Sequence, residues 1–226
     1  MSEEQRYGGQ QRPHTLQVFD QELERLRRLI LDLGAVAQDQ LAAAAALLAA
    51  RDADRARQVA QDDDKADHLA SQVDRLVVRL LALRQPMAGD LRVIVAALKM
   101  SADLERIADY AANVAKHSLE LEPLDLEDPI ALASRMADLG REMLGQAMLG
   151  YLNRDLGEAE KACMRDDEMD RLYHELLIAL QRRIAGCPDK GSTFTALLYV
   201  GRALERVGDH VTNLCEQIAF QERGES

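Results

Sequence analysis

The chain has 226 residues, 47% hydrophobic and only 4% aromatic, with no Trp. That is long enough for one large core or two of about 100 residues each, and the Ala/Leu-rich, Pro-poor mixture is that of a helical globular protein. The formal charge of −11 sets the molecule's own field against nucleic-acid backbones and anionic lipid, and so speaks against nucleic acid as a partner and against membrane surfaces.

Residues 1–15 are polar and Gly/Gln-rich and read as a disordered tail without a signal-peptide pattern. Apolar residues at helical spacing, such as Leu69, Val73, Leu76 and Leu80, then predict six helices at 16–51, 53–85, 90–121, 129–153, 155–185 and 192–221. The breaks fall at Asp52, Pro86 to Asp90, Pro123 to Pro129, Asp155 and Gly186 to Ser192. Residues 222–226 form a second tail. No apolar run approaches the roughly 18–20 residues of a membrane span, which speaks against direct membrane insertion. Cys163, Cys187 and Cys215 show no C-x-x-C spacing; they fit a reducing, cytoplasmic compartment and read as small buried or half-buried side chains.

The second half rewrites the first. At an offset of 103, Arg51-Asp52 meets Arg154-Asp155, Asp63-Asp64 meets Asp166-Asp167 and Asp67 meets Asp170. At an offset of 100, Leu104, Glu105, Arg106, Asp109 and Asn113 meet Leu204, Glu205, Arg206, Asp209 and Asn213. The expected fold is therefore all-α: six helices in two tandem pseudo-symmetric three-helix bundles, residues 16–121 and 130–221, with a joint at 122–129.

Each helical residue advances about 100°, so Glu105, Asp109, Asn113 and Lys116 form one polar stripe well away from Leu104, Ile107 and Ala111. Asp63 and Asp67 make a matching stripe on the preceding helix. Carboxylates on adjacent helices repel unless something neutralises them, and an oxygen-only donor set with Asn as a neutral member suits hard divalent or trivalent cations. A solvated acidic face is the plainer reading of one such pair. Recurrence in register in both halves favours a task.

The segment LLALRQPMAGDLRVIVAALKMSADLERIADYAANVA at 80–115, the D-x-x-x-D before it and LERVGDHVTNL at 204–214 resemble the PhoU family of phosphate-uptake regulators, over essentially residues 16–221. The resemblance implies tandem three-helix bundles, surface metal clusters on E/D-x-x-x-D motifs, and negative regulation of the phosphate response through the phosphate ABC transporter and its sensor histidine kinase. It places a first metal site at Asp63, Asp67, Glu105 and Asp109 beside Asn113, and a second at Asp166, Asp170, Glu205, Asp209 and Asn213. The metal would be Fe, Zn, Mn or Mg according to supply. The chain departs from the pattern at Lys116 (Glu216 in the second half), Ala108 (Gly208) and Ala203, and the turn AGCPDKGST lacks RQP.

This reading gives a non-enzymatic, cytoplasmic adaptor with no catalytic or cofactor-binding residues beyond the metal ligands, and leaves room for a homodimer. A scaffold whose acidic stripes bind a basic partner is the alternative. A di-iron helical-bundle oxidase would need Glu-x-x-His on facing helices, and the residues three before His14, His68, His117, His174 and His210 are Gln11, Lys65, Val114, Arg171 and Val207. Arg106 and Arg206 are expected to pair with carboxylates of neighbouring helices. Met136, Met143 and Met148 are expected to pack inside, and the turn at Arg84, Gln85 and Pro86 to meet a partner.

Overall fold

Leu26, Ile30, Leu33, Ala37, Leu41, Ala44 and Leu48 recur every three or four residues and are all fully buried, which is how one long helix presents a single apolar stripe. The structure, a computed structural model, describes residues 14–50, 63–121, 127–184, 186–187 and 190–223. Among these there are helices and no strand: α1 (His14–Ala50), α2 (Asp63–Arg84), α3 (Ala88–Ser118), α4 (Glu127–Asn153), α5 (Leu156–Cys163), α6 (Asp166–Ile184) and α7 (Gly191–Arg223). The first helix starts and the last ends two residues beyond the expected 16 and 221. The expected N-terminal tail up to residue 13, the start of the second helix at 53–62, the joint at 122–126 and the last residues, 224–226, lie outside the described residues.

One expectation is corrected. The helix predicted at 155–185 is broken at Met164–Arg165 into α5 and α6. Arg165 reaches Glu142 on α4 at 2.7 Å and Glu168 at 3.3 Å, and the acidic run Asp166, Asp167 and Glu168 opens a new helix, where negative charge is favoured by the macrodipole. The break before α5 follows the sequence. Asp155 caps α5 by accepting from the Gly157 N–H at 2.9 Å. Arg154 takes a left-handed φ of 55°, and the Asp155 N–H closes onto Gly150 O at 2.9 Å, a Schellman ending. Gly150 is required there, because a Cβ would stand 2.9 Å from both Ala159 N and Asp155 O.

The halves match position by position. Met100, Leu104, Ile107, Ala111 and Val114 are buried on α3, and their counterparts at an offset of 100, Val200, Leu204, Val207, Val211 and Leu214, are buried on α7. The repeats do not keep separate cores. α1 lies against α4, α3 lies against α7 in the most extensive helix pairing of the molecule, and one continuous apolar cluster runs from Leu26 to Ile218 through both. Met136, Met143 and Met148 are buried in it as expected. α1 is long and apolar enough over Gln17–Leu48 to match a membrane span by composition, unlike the sequence expectation, but its apolar line is the one buried in this core. Of the cysteines, Cys215 is buried and Cys163 half-buried, whereas Cys187 is exposed, because it lies in the turn between α6 and α7.

Gln40 is only 4% exposed, and neither of its amide atoms has a hydrogen-bond partner among the described residues. The corresponding residue of the second half, at an offset of 103, is Met143, which is fully buried. An unpartnered buried amide costs about 1–3 kcal/mol, so Gln40→Met is expected to stabilise the protein by an amount of that order. Urea unfolding followed by helical circular dichroism should show a single transition with a raised midpoint; a lowered midpoint would mean that the amide is satisfied in solution.

Candidate functional site

Burying one face of α3 and α7 leaves Glu105, Asp109 and Asn113 on the outer side of α3, and Glu205, Asp209 and Asn213 on the outer side of α7. α2 lies alongside α3, and α6 alongside α7, so each stripe gains acidic neighbours from the helix before it. Burial raises the Glu105 carboxyl above its ordinary range, and the charges of Asp109, Asp67 and Asp74 raise it further while Arg106 pulls it back. In the second half burial again acts first on Glu205, then Asp209; Arg202 and Arg206 oppose, and Asp170 adds. Asp166 is raised by burial, then by Asp170, Asp209 and Asp167.

The structure thus gathers Asp67, Glu105 and Asp109 into one acidic cluster and Asp166, Asp170, Glu205 and Asp209 into another. The side chain of Asp63 lies outside the described residues. Asn113 is exposed on the α3 stripe. Asn213 is placed differently from expectation: its amide donates to Asp103 at 3.3 Å, and His210 Nδ1 lies 2.8 Å from the same oxygen. Asp103 belongs to α3, so these contacts tie the two repeats together. The matching link around Asn113 cannot form, because the counterpart of Asp103 is Ala203.

The arginines also differ from expectation. Arg106 pairs with Asp109 at 3.2 Å and Arg206 with Asp209 at 3.0 Å, each on its own helix, and Arg202 reaches Glu205 at 2.7 Å. Three residues along a helix bring the charges within reach, which outcompetes a bridge to the neighbour. The guanidiniums draw the carboxylates along their own helices. Among the described residues no three His, Cys, Asp or Glu side chains converge as a metal requires.

The donor set nevertheless suits a hard cation. Every charged member is a carboxylate, and Glu205 Oε2 is buried with no hydrogen-bond partner among the described residues, with Arg206 Nε 4.0 Å away. Gly208 allows the close approach behind this cluster: a Cβ there would meet Asp166 Oδ1 at 3.0 Å and Met169 Cγ at 3.1 Å. Sequence reasoning missed Asp74, Arg202 and Asp103. Asp74 was readable as the residue two turns after Asp67 on the same face, and Arg202 as i−3 to Glu205. Asp103 was not readable, since only the crossing of α3 and α7 gives it partners.

Two register-matched helical repeats over one core, each with an acidic stripe flanked by the preceding helix, define a class of duplicated all-helical proteins. A family model described as the PhoU domain matches residues 30–118 and again 133–218, so the chain belongs to the PhoU family. The starts of the two matches differ by 103 and their ends by 100, the same offsets as the internal repeat.

A protein of Caulobacter vibrioides named phosphate-specific transport system accessory protein PhoU homolog is 38% identical over 213 residues, 94% of this chain and 93% of the relative. A Zymomonas mobilis protein of the same name is 33% identical over 93% of this chain and 89% of its own length. The crystal structure of PhoU from Pseudomonas aeruginosa superposes with a TM-score of 0.86 at 30% identity, covering 92% of this chain and all of that one (100%). That of the phosphate transport system regulatory protein PhoU from Streptococcus pneumoniae gives 0.80 at 28% identity, over 92% and 98%. The protein is a phosphate-transport accessory protein of a regulatory family.

The raised carboxyls set a pH dependence. A carboxyl whose folded pKa lies above its unfolded one binds more protons in the native state within that window, so stability falls as pH rises through it and the penalty is complete above it. Glu105→Gln is therefore expected to raise the melting temperature of metal-stripped protein at pH 7.5. The gain should shrink as pH is lowered toward the ordinary carboxylate range. Thermal unfolding by circular dichroism across pH 4.5–8 checks this; a gain that persists unchanged at the acid end would assign the effect to something other than charge.

Proposed function

We propose that this chain is a non-enzymatic, cytoplasmic adaptor of phosphate uptake, carrying phosphate status by contact between the phosphate ABC transporter and its sensor histidine kinase. The reading rests on membership of the family and on the names of its relatives, and gains support from an exposed apolar edge at the α2–α3 hairpin. Leu83 and Met87 there are 66% and 77% exposed, with Val78 and Leu91 nearby. Arg84, expected at the contact itself, instead binds Glu22 of α1 at 2.9 Å; it fixes the turn while its apolar neighbours face outward. Gln85 completes the turn with a left-handed φ of 45°.

The same reading gives the acidic clusters a cation. Asp67, Glu105 and Asp109, on the stripe shared with Asp63 and Asn113, would hold one; Asp166, Asp170, Glu205 and Asp209 would hold the other. A bound cation supplies positive charge that links α2 to α3 and α6 to α7, taking over from the arginines. The residues themselves set the cost: like charges raise one another's pKa until the cation or a proton relieves them. Weak discrimination by carboxylate sites leaves Fe, Zn, Mn or Mg to supply.

Deleting the gene is expected to derepress phosphate-starvation genes at high phosphate, and Leu83→Asp with Met87→Asp should do the same while the protein remains folded. Normal repression in the double variant would move the contact elsewhere. Elemental analysis of protein purified without added metal should find metal, and combined Asp67→Ala, Asp109→Ala and Asp209→Ala should lower it. Metal-free wild-type protein would instead favour the scaffold whose stripes bind a basic partner. Lys116 and Glu216 are both exposed at matching stripe positions. One unit charge at 4 Å is worth about 1–4 kcal/mol for effective dielectrics of 80 to 20, and the opposite signs predict tighter metal binding by the second cluster. Titration of Lys116→Glu and Glu216→Lys should reverse that order.

A further inference from the structure

We propose that the groove between α1 and α2 is a binding site for an elongated phosphoryl polyanion. A cavity of about 390 Å³ opens there, lined by Arg25 of α1 and by His68, Gln72, Arg75, Leu76 and Arg79 of α2. No lining residue is acidic, in a protein whose net charge is −11. Leu76 forms the floor; it is 6% exposed.

The placement follows from the wheel of α2. At about 100° per residue, His68, Gln72, Arg75 and Arg79 share one edge, roughly 120° from the edge of Asp67 and Asp74. α2 touches both α1 and α3; its acidic edge faces Glu105 of α3 and its basic edge faces α1. Glu22 of α1 is 12% exposed and lies between Arg84 at 2.9 Å and Arg79 at 3.3 Å, which holds Arg79 against the groove wall. Arg75 donates to Ser71 at 3.0 Å and keeps its other N–H groups for the groove. Arg25 and Arg75 are exposed.

The second repeat lacks this feature. The positions matching Arg25, His68, Gln72, Arg75 and Arg79 at an offset of 103 are Asp128, Arg171, Glu175, Ile178 and Arg182. Arg25, Arg75 and Arg79 give way to Asp128, Ile178 and Arg182, His68 and Gln72 to Arg171 and Glu175, and Asp128 is itself paired with Arg183 at 2.9 Å. The basic edge thus belongs to one repeat alone.

The ligand class follows from the shape. From His68 to Arg79 the edge is roughly 16 Å long at 1.5 Å per residue, so one tetrahedral ion engages only part of it while linked phosphoryl groups can meet successive guanidiniums. The lining has no Phe, Tyr or Trp on which a nucleobase would stack, and its one ring is the imidazole of His68, on the same edge as the guanidiniums. The charges of the edge therefore address the phosphoryl chain.

This inference is independent of the cation sites and of the transporter contact. The test is isothermal titration of metal-stripped full-length protein with tripolyphosphate, inorganic phosphate and an oligoglutamate peptide at low ionic strength. Tripolyphosphate is expected to bind one to one, at least about tenfold more tightly than inorganic phosphate or oligoglutamate. Arg25→Gln with Arg75→Gln, both at exposed positions, should weaken it at least about tenfold with unchanged circular dichroism. Arg171→Gln with Arg182→Gln in the second repeat should leave it intact. Affinity for tripolyphosphate no greater than for inorganic phosphate, equal binding of oligoglutamate, or an unaffected Arg25/Arg75 double variant would each overturn the proposal.

Discussion

The packing of α3 against α7 is the constraint on which the rest of the molecule depends. Equivalent residues meet across the pair, Tyr110 and His210 with ring centres 5.7 Å apart, and each helix turns the same face into the core, Leu104 and Ile107 on one, Leu204 and Val207 on the other. Because that face turns inward in both repeats, the stripes led by Glu105 and Glu205 must turn outward. Only there can α2 and α6 approach them. The position of the acidic clusters is thus a by-product of how apolar area is removed from water.

Electrostatics then works against the burial that created it. Glu105, Glu205 and Asp166 are all raised first by burial and then by their acidic neighbours. Protons, arginines and cations answer the same problem, and in the structure the arginines do so: Arg106, Arg202 and Arg206 each bind one turn away on their own helix. Such exposed i,i+3 pairs are worth only a few tenths of a kcal/mol. A stronger competitor for the carboxylates therefore displaces them at little cost, which leaves the clusters responsive and not locked.

The two repeats have diverged at the margin of the shared core and on its surface. Asp103 has gained His210 and Asn213 as partners while its counterpart is Ala203. Gly208 admits Asp166 where the first repeat has Ala108. The basic edge of α2 has no equal on α6. Ala108, Ala203 and Gly208 are buried at the margin of the core, whereas Arg25 and Arg75 of the basic edge are exposed, so the changes alter charge and local approach around one retained apolar stripe. One fold can therefore carry two unequal acidic sites and one basic groove.

The sequence by itself determined the helices, their duplication and the candidate carboxylates, because helix periodicity and register are properties of consecutive residues: Glu105 and Asp109 must share a face of α3, and Asp67 and Asp74 one of α2, wherever those helices go. Even the end of α4 was written locally, in Gly150, Arg154 and Asp155. What only the tertiary structure decided concerns residues far apart in the chain. The break at Arg165 depends on Glu142 across a helix interface, the capture of Asn213 depends on Asp103 more than one hundred residues away, and the continuity of the apolar core through both bundles depends on α1 meeting α4 and α3 meeting α7. Periodicity says which face of a helix is apolar but not which other face covers it, since the hydrophobic effect rewards buried area without naming the partner; that choice is made when all the faces are packed at once.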